Sequence, residues 1–158
     1  MKERLKYTYM EVAEQFSKLS YAKRLKVGSI IVKDDRILSI GYNGTPSGWD
    51  NNCEELVNGE LITKQEVIHS EANCISKMAK SNESSDGAEL FVTHSPCIEC
   101  AKLINGAGIK TVFYETVYRD NKGLDFLEKC GVVVVHIQSN QNPIKTQSKL
   151  NQNPLNNI

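Results

Sequence analysis

Between Val27 and Ile137, two short β-branched runs in tandem are followed by helix-patterned and strand-patterned segments in strict alternation. The runs VGSIIV (27–32) and ILSIGY (37–42) flank the polar turn Lys33-Asp34-Asp35-Arg36, which reads as an antiparallel hairpin. A helix follows from Glu66 to Lys80, with Ile68, Ala72, Ile75 and Ala79 as one apolar stripe, and then a strand from Leu90 to Thr93. Pro96 can open the next helix at its first position, and Gly106 and Gly108 stop it. A strand from Lys110 to Tyr114, a short helix from Gly123 to Cys130 and a strand from Val132 to Ile137 complete the series. The last strand is unbroken apolar, so it is expected to be buried on both faces. This order predicts an α/β fold in three layers, αβα, with a mixed central sheet of about five strands covered by helices on both faces.

An N-terminal helix precedes the hairpin, its face formed by Leu5, Tyr9, Val12, Ala13, Phe16 and Leu19, with Tyr7 and Met10 off it. The stretch from Asn43 to Leu61 contains Gly44, Pro46, Gly48 and Gly59 and reads as a long loop. Loops of that length in compact domains are more often functional than idle. From Ser139 to Ile158 there are six Asn, three Gln and no aromatic residue. Such a segment buries too little apolar surface to offset its chain entropy. Residues 1–138 are therefore expected to form the working domain and 139–158 a disordered polar tail.

The 158 residues suit one domain. Nineteen Lys and Arg balance nineteen Asp and Glu, so the net charge is zero. Domains that hold nucleic acid by phosphate neutralisation are usually basic, so no nucleic-acid partner is expected. No apolar run approaches the roughly 18 residues of a membrane span. Lys2, Arg4 and Lys6 have no apolar stretch behind them, which argues against a secretory leader. A cytoplasmic protein is expected. Its five cysteines are odd in number and suggest no disulfide framework, with Cys74 and Cys130 expected to be small buried residues.

The remaining chemistry lies in two clusters. His69-Ser70-Glu71 stands near the start of one helix, and Pro96-Cys97-Ile98-Glu99-Cys100 at the start of the next. One imidazole and two thiolates make a three-ligand Zn²⁺ set with an open position, as catalytic sites require. Cys97 and Cys100 are one helical turn apart, and a helix N-terminus favours thiolate. His69 and Glu71 diverge on a regular helix, so they can converge only if His69 lies at its very start. Glu71 is then a proton carrier and not a ligand. A structural zinc site is the alternative, with Cys53, Cys74 or His94 as fourth ligand, although Cys74 lies roughly 140° round the helix from His69.

The H-x-E and P-C-x-x-C pair matches the signature of zinc-dependent nucleobase deaminases. More of the chain resembles the deoxycytidylate (dCMP) deaminases of bacterial and phage type, within the cytidine deaminase-like superfamily. The resemblance runs from about Leu5 to Ile137 and includes AKRLKVG (22–28), GYNGTPSG (41–48), HSEAN (69–73), VTHSPC (92–97) and YRD (118–120). It implies a cytidine deaminase-like fold and hydrolysis of dCMP to dUMP and ammonia, supplying dUMP for thymidylate synthesis. It further implies a homohexamer activated by dCTP and inhibited by dTTP, with Mg²⁺ accompanying the triphosphate.

By the same resemblance Arg24 takes the 5′-phosphate, Asn43 the deoxyribose, and His94, Ser95, Pro96 and Tyr118 line the substrate pocket. Gly41, Tyr42, Asn43 and Gly44 fall in the effector site. Simpler roles stand beside these: Asn43-Gly44 as a hairpin turn, Arg24 with Lys23 and Lys26 as a solvated cluster, His94 as a satisfied polar residue, and Tyr118 as packing. Trp49 could anchor the loop or a subunit contact. Ser70 and Cys74 stand where the family usually has Ala. Some phage members bind a second zinc through extra Cys and His in the loop, whereas this loop offers Cys53 and no His. One zinc per subunit is expected. A nucleic-acid editing deaminase and a non-enzymatic zinc module are the rival functions.

Overall fold

The computed structural model describes residues 1–138; the segment 139–158, expected to be a disordered tail, lies outside the described residues. Eleven elements follow one another: α1 (Glu3–Ser17), β1 (Gly28–Lys33), β2 (Arg36–Tyr42), β3 (Glu54–Val57), β4 (Glu60–Thr63), α2 (Ser70–Met78), β5 (Glu89–His94), α3 (Ile98–Gly106), β6 (Thr111–Thr116), α4 (Lys122–Lys129) and β7 (Val133–His136). The central sheet has five strands in the order β2-β1-β5-β6-β7. β1 pairs antiparallel with β2 and with β5, while β5, β6 and β7 run parallel. The mixed five-stranded sheet and its helical cover are as the alternating pattern implied.

Alternation along the strands divides the core in two. Ile30, Val32, Phe91 and Phe113 point to one face and pack with Tyr9, Met10 and Ala13 of α1. Ile31, Leu90, Val92 and Val112 point to the other and pack with Cys74 and Met78 of α2, Ala101 and Ile104 of α3, and Leu127 of α4. β1 and β5 are covered on both faces and nearly fully buried, which makes them the rigid centre. The hairpin turn is Asp34-Asp35, both with positive φ (52° and 57°). That is the backbone sense that matches strand twist in a two-residue turn, and Asp tolerates it better than most residues.

Several local expectations fail for identifiable reasons. The presumed loop 43–61 contains the start of a separate two-stranded hairpin, β3-β4, turned by Asn58-Gly59 at φ 51° and 80°. α2 starts at Ser70, so Ile68 is outside it, and the buried face is Ser70, Glu71, Cys74 and Met78. In α1 Met10 is fully buried while Leu19, beyond the helix end, is 52% exposed. β7 is an edge strand, half-open to solvent, and Cys130 is exposed because it caps the short α4. Pro96 precedes the N-cap of α3 and is not its first residue.

β2 and α2 meet with no room between them. A Cβ on Gly41 would collide with the Ser70 carbonyl oxygen and stand 2.8 Å from the Cys74 nitrogen. Those atoms are backbone and cannot swing aside. Gly41→Ala is therefore expected to lower stability by about 1–3 kcal/mol, the usual cost of overpacking. In thermal unfolding that is a drop of several degrees, about 2–4 °C per kcal/mol at this size. An unchanged midpoint would refute the tight contact.

Candidate active site

α2 and α3 begin close together. β5 ends at His94, and Ser95-Pro96-Cys97 lead directly into α3, whose N-cap is Cys97 (φ −70°, ψ 169°). The N-cap of α2 is His69 (φ −66°, ψ 154°), as its convergence with Glu71 demanded. Neither N-cap side chain caps its own helix. Both turn toward each other instead. His69 Nδ1 lies 3.6 Å from Cys97 Sγ and 3.4 Å from Cys100 Sγ. All three donor atoms fall within 4.8 Å of one another, and they are the cluster of possible metal ligands among the described residues. A tetrahedral zinc with ordinary Zn–S and Zn–N bond lengths separates S from N by about 3.5 Å. The donor set and its spacing therefore fit zinc.

Hydrogen bonds from the Cys100 thiol and the His69 ring pull the Cys97 thiol down to about 3. The same contacts work in reverse on their partners. The contact with Cys97, then burial, pushes Cys100 up, and the hydrogen bond to Cys97 raises His69. The start of α3 adds its dipole to the stabilisation of thiolate. Cys74, raised to about 11 by burial, sits in the core under α2 and takes no part.

Glu71 lies in the first turn of α2 and is 4% exposed. Burial pushes its carboxyl up, while its own backbone N–H and the Ser70 hydroxyl oppose the shift. Ser70 Oγ donates to Glu71 Oε2 at 2.9 Å. In the sequence Ser70 is marked only as a position where Ala is usual. Its hydroxyl in fact fixes the carboxylate, and the neighbouring position in the chain was the available clue.

A cleft of about 390 Å³ opens over this floor, and its lining includes His69, Glu71, His94, Ser95, Cys97 and Tyr118. Arg24 and Asn43 line it as well. Pro96 lies beneath, fully buried. Burial holds the His94 imidazole below its usual range, so it is neutral at pH 7, and Thr93 Oγ1 meets its Nδ1 at 3.1 Å. Ser95 Oγ accepts the Tyr118 N–H at 2.8 Å and thereby ties the β6–α4 connection to the end of β5. Asn43 uses both ends of its amide on the chain opposite: Val27 N–H donates to Oδ1 and Nδ2 donates to the Leu25 carbonyl, each at 2.8 Å. It is no hairpin turn; Gly44 instead bridges to Ile68 beside His69. Gly41 and Tyr42 likewise brace α2, Tyr42 through its carbonyl, which accepts from Asn73.

Arg119 was missed. It lines the same cleft at φ 56°, with its guanidinium 4.9 Å from the Tyr118 ring centroid. It stands in the YRD segment of the resemblance, but its positive φ, uncommon outside Gly and Asn, is not written in the sequence. Trp49 is 57% exposed in the segment before β3.

The family model for the cytidine and deoxycytidylate deaminase zinc-binding region matches residues 3–116. ComE operon protein 2 of Bacillus subtilis is 39% identical over 123 residues, covering 75% of this chain and 64% of that protein. The deoxycytidylate deaminase of Enterobacteria phage T4 is 31% identical, with 94% of this chain and 95% of that one aligned. Among solved structures, the dCMP deaminase of cyanophage S-TIM5, in complex with dCMP and dUMP, superposes with a TM-score of 0.82 at 51% identity, over 87% of this chain and 99% of that one.

The ligand set is tested by metal content. Cys100→Ser is expected to lose most of its zinc, since hard oxygen replaces a thiolate. Cys74→Ala, outside the cluster, is expected to keep one equivalent. Elemental analysis of both proteins decides, and zinc retained by Cys100→Ser would remove Cys100 from the set.

Proposed function

The chain belongs to the cytidine and deoxycytidylate deaminase family, and we propose that its reaction is hydrolysis of dCMP to dUMP and ammonia at one zinc per subunit. One observation carries this: a buried carboxylate, Glu71, stands beside a His69/Cys97/Cys100 donor set on the floor of a cleft whose wall holds Arg24 and Arg119. Floor and wall match the two ends of a nucleoside monophosphate. The likeness to a phage dCMP deaminase solved with dCMP and dUMP supports the same substrate.

His69 Nδ1 and the thiolates of Cys97 and Cys100 would hold the metal, and zinc supplies the Lewis acidity that makes water a nucleophile near neutral pH. Glu71 accepts a proton from the attacking water as oxygen bonds to the ring carbon bearing the amine. It delivers that proton to the adjacent ring nitrogen. It next takes the remaining proton from the newly bonded oxygen and passes it to the amine as the carbon–nitrogen bond breaks and ammonia leaves. One carboxylate serves twice, which needs a proton affinity above that of an exposed acid. Burial provides this, and the Ser70 hydroxyl keeps the carboxylate aimed. The neutral His94 presents a ring face or an uncharged donor to the base. Asn43 meets the sugar with the amide valences left after it has secured residues 25–27. Guanidinium groups suit phosphate because their forked donors bind it bidentately.

The same proposal extends to regulation, assembly and setting. dCTP with Mg²⁺ activates and dTTP inhibits, through the segment Gly41-Tyr42-Asn43-Gly44. The subunits assemble as a homohexamer, and the enzyme works in the cytoplasm, supplying dUMP for thymidylate synthesis. Support for regulation and assembly comes from the family resemblance, with G-Y-N-G as the effector segment.

Incubation with dCMP, cytidine, dCTP and a tRNA, followed by cytosine absorbance and ammonia release, tests the substrate. Turnover confined to dCMP is expected; turnover of the tRNA, or of none, overturns it. Adding dCTP or dTTP with Mg²⁺ is expected to raise or lower the rate respectively. Glu71→Gln is expected to fold and hold zinc while kcat falls about 10²–10⁴-fold, the usual contribution of a positioned acid–base group. Near-normal turnover by that variant would refute the proton route.

A further inference from the structure

We infer that Glu54 is a positioning residue for Arg24, and that the cross-strand pair Glu54–Thr63 holds this arginine at both ends to set the phosphate end of the cleft. This rests on the proposed nucleoside monophosphate substrate. Glu54 opens β3 and is 3% exposed. Its Oε1 accepts two successive backbone N–H groups, those of Lys23 at 2.8 Å and Arg24 at 3.1 Å. Thr63, at the end of β4, accepts from the same arginine's Nη1 at 3.2 Å. Glu54 and Thr63 are direct partners in the β3-β4 register, so their side chains share one face. One strand pair therefore grips the backbone of Arg24 with one member and its guanidinium with the other.

The rest of that hairpin does little packing. Leu56, Val57 and Ile62 are exposed at 74%, 43% and 39%. A two-stranded hairpin is marginal alone, and this one is anchored by Glu54 and by Cys53 against Ala22 and Val67. A carboxylate is a costly anchor. Glu54 Oε2 is buried with no hydrogen-bond partner among the described residues, and such burial is destabilising against an apolar residue. What an apolar residue cannot do is fix two consecutive N–H groups. That fixes the peptide between residues 23 and 24 and hence the direction in which the Arg24 side chain leaves. A long cation held this way loses less freedom on binding an anion. The effect belongs in substrate affinity for the phosphate and not in the chemical step.

The test uses the zinc-loaded full chain and compares KM for dCMP with inhibition by dUMP and by deoxyuridine, which lacks the phosphate. Glu54→Ala and Glu54→Asp, the latter a full methylene short, are expected to raise KM for dCMP and the inhibition constant of dUMP about tenfold, with kcat and deoxyuridine inhibition within about twofold. Glu54→Gln keeps the acceptor oxygen and is expected to stay within about threefold of wild type. In an Arg24→Ala background, Glu54→Asp is expected to add nothing, because the two act as one unit. Equal weakening of dUMP and deoxyuridine, or additive effects with Arg24→Ala, overturns the assignment. If Glu54→Ala does not fold, Glu54→Asp decides. Failure of the wild-type protein to turn over dCMP overturns the substrate itself and this inference with it, an outcome read before any variant is made.

Discussion

Two helices begin at one point, and the site depends on that. The N-caps of α2 and α3, His69 and Cys97, leave their own helix ends uncapped and face each other across less than 4 Å. An N-cap side chain usually stabilises its helix by about 1 kcal/mol. Here that contribution is given up so that extended N-cap backbones can project a nitrogen and a sulfur beyond the helix ends. The N–H groups and the dipole at each start then favour negative charge, which suits thiolates at one and the Glu71 carboxylate at the other. The same local geometry that leaves the helices uncapped makes the floor of the cleft.

The floor stays in register because the elements behind it cannot shift. β5 is buried on both faces and runs straight into the residues preceding Cys97. α2 is pressed on β2 through Gly41, and the Gly44–Ile68 bridge ties the chain just ahead of His69. A second glycine closes the other side: a Cβ on Gly123, at the start of α4, would collide with the Pro96 carbonyl. Close backbone contacts of this kind leave no slack between helix and strand, because packed interiors hold few voids.

Much of this was legible in the chain. The alternating periods carry the five-stranded sheet, and the two-residue spacing of His69 and Glu71 requires a histidine at the helix start, where it is found. What escaped notice did so for physical reasons. The β3-β4 hairpin carries the Asn58-Gly59 turn signal, but Glu54, Glu55 and Glu60 lower its strand propensity and its apolar residues point outward. Cys130 and β7 were misjudged because apolar composition says nothing about whether an edge is covered. Arg119, Ser70 and Glu54 act through contacts with specific atoms brought together by folding. The Ser70–Glu71 and Arg119–Tyr118 contacts are local in sequence; Glu54 meets Arg24 from thirty positions away.

That separation divides the protein into two kinds of precision. The chemistry stands on α2 and α3 packed against the central strands through a buried apolar cluster. The proposed phosphate end stands on a peripheral hairpin and a few long-range polar bonds, from Glu54 and Thr63 to residues 23 and 24. The two regions meet at Val67, two positions ahead of His69, against which Cys53 at the foot of the hairpin packs. The zero net charge is consistent with this division. One phosphate needs a cation fixed in the right direction, and in the proposed arrangement direction comes from a buried carboxylate holding the arginine's backbone, not from a basic surface.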